Sequence, residues 1–335
     1  MPTGTSMRLS DARRIDPILT NIAQGFSQAE YGGSYFFPCV EVPVRGGQII
    51  SFDKAAFRTY NSRRVPGGNT KRIQTNYTGL PYALDNDGLE HPLPIEYLED
   101  SDFVGIDWQK IAMDACMSGL TNNLEVEQAA LLRNPAAYNS ANILTLSGGS
   151  QLNTAGGAAP FSAIIRQMRE AIRTKIGRSP NVMGIPASII PALDNLTEIR
   201  NRLQYTSSAS ATLDMLAAWY DFDKVVLLGS MQASEDPSET LTDIWGSDIV
   251  MAYVNPVALQ PDAVITYQMN GKINRFSPSL GYTYTLKGHP FAKPRYWDEN
   301  TDSWVFGAKL ERKPVLTGVD GGLIVAGAII RNCLA

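Results

Sequence analysis

The chain has 335 residues, a formal net charge of −4, 44% hydrophobic and 19% charged residues. That length suits one large domain or two modest ones with a substantial core, and the charge argues against a general nucleic-acid binder, which carries an excess of Lys and Arg. Charged residues fall below the ~25% usual for soluble domains; a surface hidden against neighbours and an ordinary globular surface both fit.

Cys39, Cys116 and Cys333 are widely spaced, odd in number and without a C-x-x-C pair, so they read as reduced and intracellular. Met1 to Ser10 has no apolar h-region, and no secretory signal is expected. The longest apolar run, Gly321 to Ile330, is about half of the ~20 residues a membrane helix needs and reads as a buried strand.

Residues 1–33 read as an arm: polar, with Gly25, Gly32 and Gly33 near its end and a short helical stretch from Asp16 to Gln24. Val40, Val42 and Val44 then alternate with Glu41 and Pro43, the period of a strand. Ile49 to Phe57 and Ile73 to Tyr77 continue the extended pattern on either side of Arg58 to Thr70, which holds Pro66, Gly67 and Gly68. The pattern predicts a long two-stranded hairpin with a flexible basic tip. Such a hairpin is marginal in water by itself, so it is expected to lie on another surface, including that of another subunit.

The best helix of the chain is predicted from Asp102 to Arg133, with Met113, Met117, Leu120 and Leu124 on one stripe and Pro135 as its stop. At ~1.5 Å per residue it would span ~45 Å, a spine, with bends expected at Gly119 and Asn122–Asn123. Residues 136–160 read as a loop. A compact α/β segment follows: helix Phe161–Ile176, strand Asn181–Ile185, helix Pro186–Leu203 interrupted near Pro191, helix Ala211–Trp219, and strands Lys224–Leu228 and Asp248–Val254. Gly281–Leu286, Trp304–Leu310 and Leu316–Ile330 read as strands, with Asp298 to Asp302 a polar turn.

Charge is distributed unevenly. Between positions 45 and 72 lie Arg45, Lys54, Arg58, Arg63, Arg64, Lys71 and Arg72 against the single acid Asp53. Positions 73–109 carry no Lys or Arg but hold Asp85, Asp87, Glu90, Glu96, Glu99, Asp100, Asp102 and Asp107. Three readings stand: a solvated basic loop beside acids that cap a helix, a hairpin docking head-to-tail on a neighbour's acidic surface, and a basic tip touching nucleic acid. No aromatic platform accompanies the tip to support the third.

Catalytic chemistry finds little footing. His91 and His289 each precede a proline in extended or turn backbone, with no nearby second ligand. There is no G-x-S-x-G elbow, Walker A loop or dinucleotide fingerprint. Asp85-Asn86-Asp87-Gly88 lacks EF-hand spacing and reads as a polar turn. Glu96, Glu99 and Asp100 read as dipole-complementing acids rather than a glycosidase pair. Trp219, Tyr220 and Phe222 read as core, and Trp297 and Trp304 as a cross-strand pair. No cofactor or metal is expected.

The order of segments resembles the major capsid proteins of tailed bacteriophages, the Hong-Kong-97-like fold. It is carried by Asn181–Ile185, Leu196–Leu203, Thr212–Leu216, Val225–Gly229, Asp243–Gly246, Ile249–Val254, Ser279–Thr283 and Gly322–Val325. The resemblance implies an α+β chain arranged as an arm (1–33), an extended loop (34–95), a peripheral domain with the spine helix (96–160), an axial domain (161–275) and returning strands (276–335). It further implies self-assembly into hexamers and pentamers of an icosahedral virion shell around double-stranded DNA. Portal, scaffolding and decoration proteins are the other implied partners. The rival classes are a hydrolase and a monomeric ligand-binding module. The expected inter-subunit residues are the basic and acidic ones named above, Arg45 to Arg72 and Asp85 to Asp102, without Asp53.

Overall fold

The computed structural model describes residues 31–50, 59, 61–70, 72, 79–99, 108–154, 160–204, 211–233, 240–256, 265–266 and 279–334. The expected helix at Asp16–Gln24, the extended runs over 51–57 and 73–77, and the acids from Asp100 to Asp107 lie outside them.

The elements run α1 (Gly33–Phe36), β1 (Cys39–Val42), β2 (Gly46–Ile50), β3 (Gly79–Ala83), β4 (Asp85–Pro94), α2 (Ile95–Glu99), α3 (Trp108–Arg133), β5 (Ile143–Thr145) and α4 (Phe161–Ile176). There follow β6 (Val182–Pro186), α5 (Ile190–Asn195), α6 (Thr197–Leu203), α7 (Leu213–Tyr220), β7 (Lys224–Leu228), β8 (Met231–Gln232), β9 (Thr242–Asp243), β10 (Ile249–Ala252) and β11 (Ile265–Thr266). The last are β12 (Gly281–Leu286), β13 (Phe291–Asp298), β14 (Ser303–Leu316), β15 (Val319–Asp320), β16 (Leu323–Ile324) and β17 (Gly327–Arg331). The chain divides into two units. The smaller takes in Asn86–Asn123 and Gly288–Leu310; the larger takes in Glu30–Asp85, Leu124–Lys287 and Glu311–Ala335.

The larger unit is built on a mixed sheet in the order β5-β17-β10-β6-β7. Its central strands are apolar at nearly every position because both faces are covered. Met183, Ile185, Ile249, Met251, Ala328 and Ile330 face one core, while Val182, Val226, Leu228, Val250, Ala252 and Ile329 face another. The first core is closed by α4, whose Phe161, Ile164, Ile165, Met168, Ile172 and Ile176 recur at helical spacing. Gly177, at φ +69°, ends that helix in the left-handed conformation that glycine adopts without strain. Tyr220 and Phe222 are buried in this core with Trp219 packed against it, as the sequence indicated.

Two expectations are corrected here. Residues 136–160 are not wholly loop: β5 pairs parallel with β17, and the fully buried Asn142 side chain donates to the Gly327 carbonyl at 2.8 Å. A single buried amide sets that strand, and Ala/Ser/Asn composition conceals it. Nor is 316–330 one strand. Gly321 and Gly322, at φ +59° and +83°, turn the chain between β15 and β16 before β17 begins.

In the smaller unit the start of β14 lies between β13 and β4. The first half of α3 packs on one face: Ala112, Cys116 and Leu120 are buried against Leu93, Phe306, Ala308 and Leu310, with Met113 and Met117 at the margin. Leu120 of the predicted stripe is buried as expected, while Ala112 and Cys116, one position before Met113 and Met117, take the buried places and leave the methionines at the margin. Gly119 serves packing: a Cβ there would stand 2.7 Å from Leu89 Cδ1. Asp85–Gly88 is not a turn but the start of β4, extended alongside β14. The turn after Asp298 does form: Asn300 N–H and the Thr301 hydroxyl both donate to the Asp298 carboxylate at 3.0 Å. It brings Trp297 opposite Trp304, ring centroids 5.4 Å apart at 66°.

Candidate assembly surface

The root of the expected hairpin is paired. β2 and β3 pair antiparallel from Gly46↔Ala83 to Ile50↔Gly79, and this two-stranded sheet stands apart from the larger ones. At its base Tyr82 stacks on Tyr284 at 5.1 Å and 19°, over Val40 and Val42. Arg45 Nε donates to Glu311 at 2.5 Å, and Lys313 pairs with Asp85. Glu311 and Lys313 alternate with Arg312, which points the other way and pairs with Glu127 of α3 at 3.2 Å. A charged run inside a strand usually marks a solvated face; here each charge braces a different element. Arg312 is only 1% exposed, and a buried charge of this kind depends on its paired partner.

The expected tip is exposed. Residues 61–70 are all exposed. Val65 O accepts from Gly68 N–H at 2.9 Å, with Pro66 and Gly67 (φ +80°) at the corners, a turn of type II character. It presents Val65, 76% exposed, beside Arg63 and Arg64. Arg64 donates to the Thr70 hydroxyl at 2.9 Å, and Arg72 is exposed. An isolated valine at this exposure forms no core contact, so its apolar surface is available to another molecule.

The residues predicted for inter-subunit contact thus separate into groups. Arg45 and Asp85 are engaged within the chain at the hairpin root. Glu90 is engaged within the smaller unit: Lys293 Nζ donates to it at 2.7 Å and the Tyr296 hydroxyl at 3.1 Å, across Gly307 of β14. Those bonds, the Lys293 one foremost, hold the Glu90 carboxyl below its ordinary pKa. Asp87 lies half-buried on β4, and Glu96 and Glu99 are exposed on α2. Arg63, Arg64 and Arg72 are exposed on or near the tip. Lys54, Arg58, Lys71, Asp100 and Asp102 lie outside the described residues.

Sequence reasoning missed Glu125, Glu127, Glu311 and Arg312. Glu125 and Gln128 sit on the buried face of α3 at i and i+3, where a hydrophobic-period search expects apolar residues; two polar residues on an otherwise apolar stripe are the signal that could have found them.

No group of three or more His, Cys, Asp or Glu able to hold a metal occurs among the described residues. The three cysteines are free, and burial pushes the Cys333 thiol up to about 12, far from a reactive thiolate. No helix among the described residues is long and apolar enough to cross a membrane.

No family model matches the chain. The fold recurs in the capsid structure of the Cyanophage P-SCSP1u (TM-score 0.51, 9% identity, covering 88% of this chain and 86% of that one). It recurs also in a structure of Microbacterium phage Oxtober96 (TM-score 0.52, 11% identity, 97% and 99%). This is the Hong-Kong-97-like capsid fold, mixed helix and sheet. A phage-related protein of Bordetella bronchiseptica RB50 matches far more closely, at TM-score 0.71 and 31% identity over 95% of this chain and 97% of that one. The major capsid protein of Burkholderia phage BcepMu is 33% identical over 322 residues, 96% of this chain and 98% of that protein. The chain belongs to the phage major capsid protein family, and its place is the capsid of the virion.

Proposed function

We propose that this subunit forms hexamers and pentamers of an icosahedral shell enclosing double-stranded DNA, and that the hairpin tip joins neighbours within it. Two observations support the reading: a root braced by a tyrosine stack and two ion pairs, and a wholly exposed segment 61–70 in which Val65 stands beside Arg63 and Arg64. An exposed apolar residue flanked by cations fits an acidic receptor with an apolar centre. Glu96 and Glu99, exposed on α2, are the candidate acceptors, with Asp100 and Asp102 beside them in sequence. Contacts of one surface on a different surface close into rings, and charge complementarity fixes register more than it adds affinity. Arg58, Lys71 and Arg72 extend the basic side of the same contact. Portal, scaffolding and decoration proteins are further partners of such a shell, and packaged DNA meets its inner face without sequence preference.

Deleting residues 61–70 and closing the gap with two glycines tests the reading. The expected product is a folded subunit, melting as the parent does, that forms no shells by electron microscopy. Shells of normal appearance would remove the hairpin from the assembly contact.

A further inference from the structure

The segment 31–37 enters the larger unit as a bound peptide would. Gly32 N–H donates to Glu125 Oε1 at 2.9 Å, and Gly33 N–H reaches both carboxylate oxygens at 3.0 Å. The same carboxylate accepts from the Trp245 indole N–H at 2.7 Å and the Ser230 hydroxyl at 3.3 Å. One turn along α3, Gln128 Nε2 donates to the Thr283 hydroxyl at 2.9 Å, which donates to the Phe37 carbonyl at 3.2 Å. Both ends of the segment are therefore tied to one helix. Between them Phe36 and Phe37 are buried, Phe36 with its ring centroid 6.0 Å from that of Trp245.

The glycines are a requirement of the approach. A Cβ on Gly32 would stand 2.1 Å from Leu228 Cδ2, and one on Gly33 2.0 Å from Gln128 Oε1. Only bare backbone brings two amides onto a carboxylate that is 2% exposed. Burial pushes the Glu125 carboxyl up from its ordinary pKa, and the donors offset part of that. Withdrawing the segment removes the backbone donors and opens the carboxylate to water, so the polar clamp and the two phenylalanines leave together.

We propose that Glu125 is a latch that fixes where the N-terminal segment joins the body, and that opening it releases residues 31–37 as one unit while the body stays folded. Release would lengthen the reach of the preceding residues by roughly 25 Å, at ~3.5 Å per extended residue. A subunit that must serve ring positions of differing geometry gains an adjustable tether. The inference concerns the single subunit and does not depend on how the hairpin docks.

The test is limited chymotrypsin digestion of the unassembled full chain, with fragment masses read over time. In Glu125→Ala, cleavage after Tyr35 or Phe36 should accelerate about tenfold or more, since proteolysis tracks the population of the open form. The fragment beginning at Phe36 or Phe37 should persist. Ser230→Ala removes only the most distant donor and should stay within about twofold of the parent. If Glu125→Ala yields no folded protein, Gly33→Ala decides by the same readout, because its Cβ displaces the segment from the other side. Parental cleavage rates after Tyr35 and Phe36, or cutting spread evenly through the body, would overturn the latch.

Discussion

Val65→Ser separates stability of the subunit from stability of the shell. In the single subunit Val65 is 76% exposed, and replacing an exposed residue away from caps and cores shifts folding by about 0.5 kcal/mol or less. On docking, a fully buried valine side chain contributes roughly 1.5–3 kcal/mol. About three-quarters of that surface is still to be lost, so each contact should weaken by roughly 1–2 kcal/mol. Each 1.4 kcal/mol is tenfold in an equilibrium constant, which sets the loss at roughly 5- to 30-fold per contact. Repeated around a ring of six it reaches roughly 6–12 kcal/mol. The assay is light scattering against subunit concentration, with calorimetry of the unassembled protein alongside. The expected outcome is an unchanged melting temperature and a clearly raised threshold concentration for assembly. An unchanged threshold, or a melting point that falls with it, would refute the assignment of Val65 to an inter-subunit contact.

Other perturbations address the body. Ile172→Ala empties a fully buried position of α4 and should cost about 2–5 kcal/mol, read as a drop in denaturant midpoint; a change below about 1 kcal/mol would mean the two-sided core is looser than drawn. Gly177→Ala forces a side chain into the left-handed conformation at φ +69° and should cost about 1–2 kcal/mol, measured in the same titration. The Glu90 carboxyl, held below its ordinary pKa by Lys293 and Tyr296, contributes stability that is present above the unfolded pKa and lost as pH falls through the lowered folded one. Lys293→Met should flatten that part of the acid limb of a stability–pH curve, and an unaltered limb would deny the pair a role. The contribution is small, because the pair is partly exposed and water screens it.

Much of the fold was legible in local pattern. Phe161–Ile176 and Lys224–Leu228 were bounded to the residue, since one carries a clean helical period ending in Gly177 and the other is an uninterrupted apolar strand. The aromatic cluster at Trp219–Phe222, the Trp297–Trp304 pair and the Asp298–Asp302 turn were also readable, because neighbours in sequence supply their partners. Misreadings occurred where a distant partner decides the outcome. β4 begins in Asp-Asn-Asp-Gly, a turn by composition, and is extended because β14 lies beside it. Of β13 only the end at Trp297 was anticipated, its earlier part being interrupted by a bulge between Lys293 and Tyr296.

Periodicity along the chain therefore determined the central α/β segment, the order of segments carried the resemblance that implied the fold class, and the run of basic residues followed by acids was plain in the sequence, because helix and strand periods and charge runs are short-range properties of a heteropolymer. The pairing of those charges belonged to tertiary structure alone. Arg45 meets Glu311, Lys313 meets Asp85, and Glu125 gathers amides from Gly32 and Gly33 across more than ninety positions. A charge selects whichever opposite or donor group the packing of apolar elements brings within about 3 Å, and that distance is set only after the core has closed.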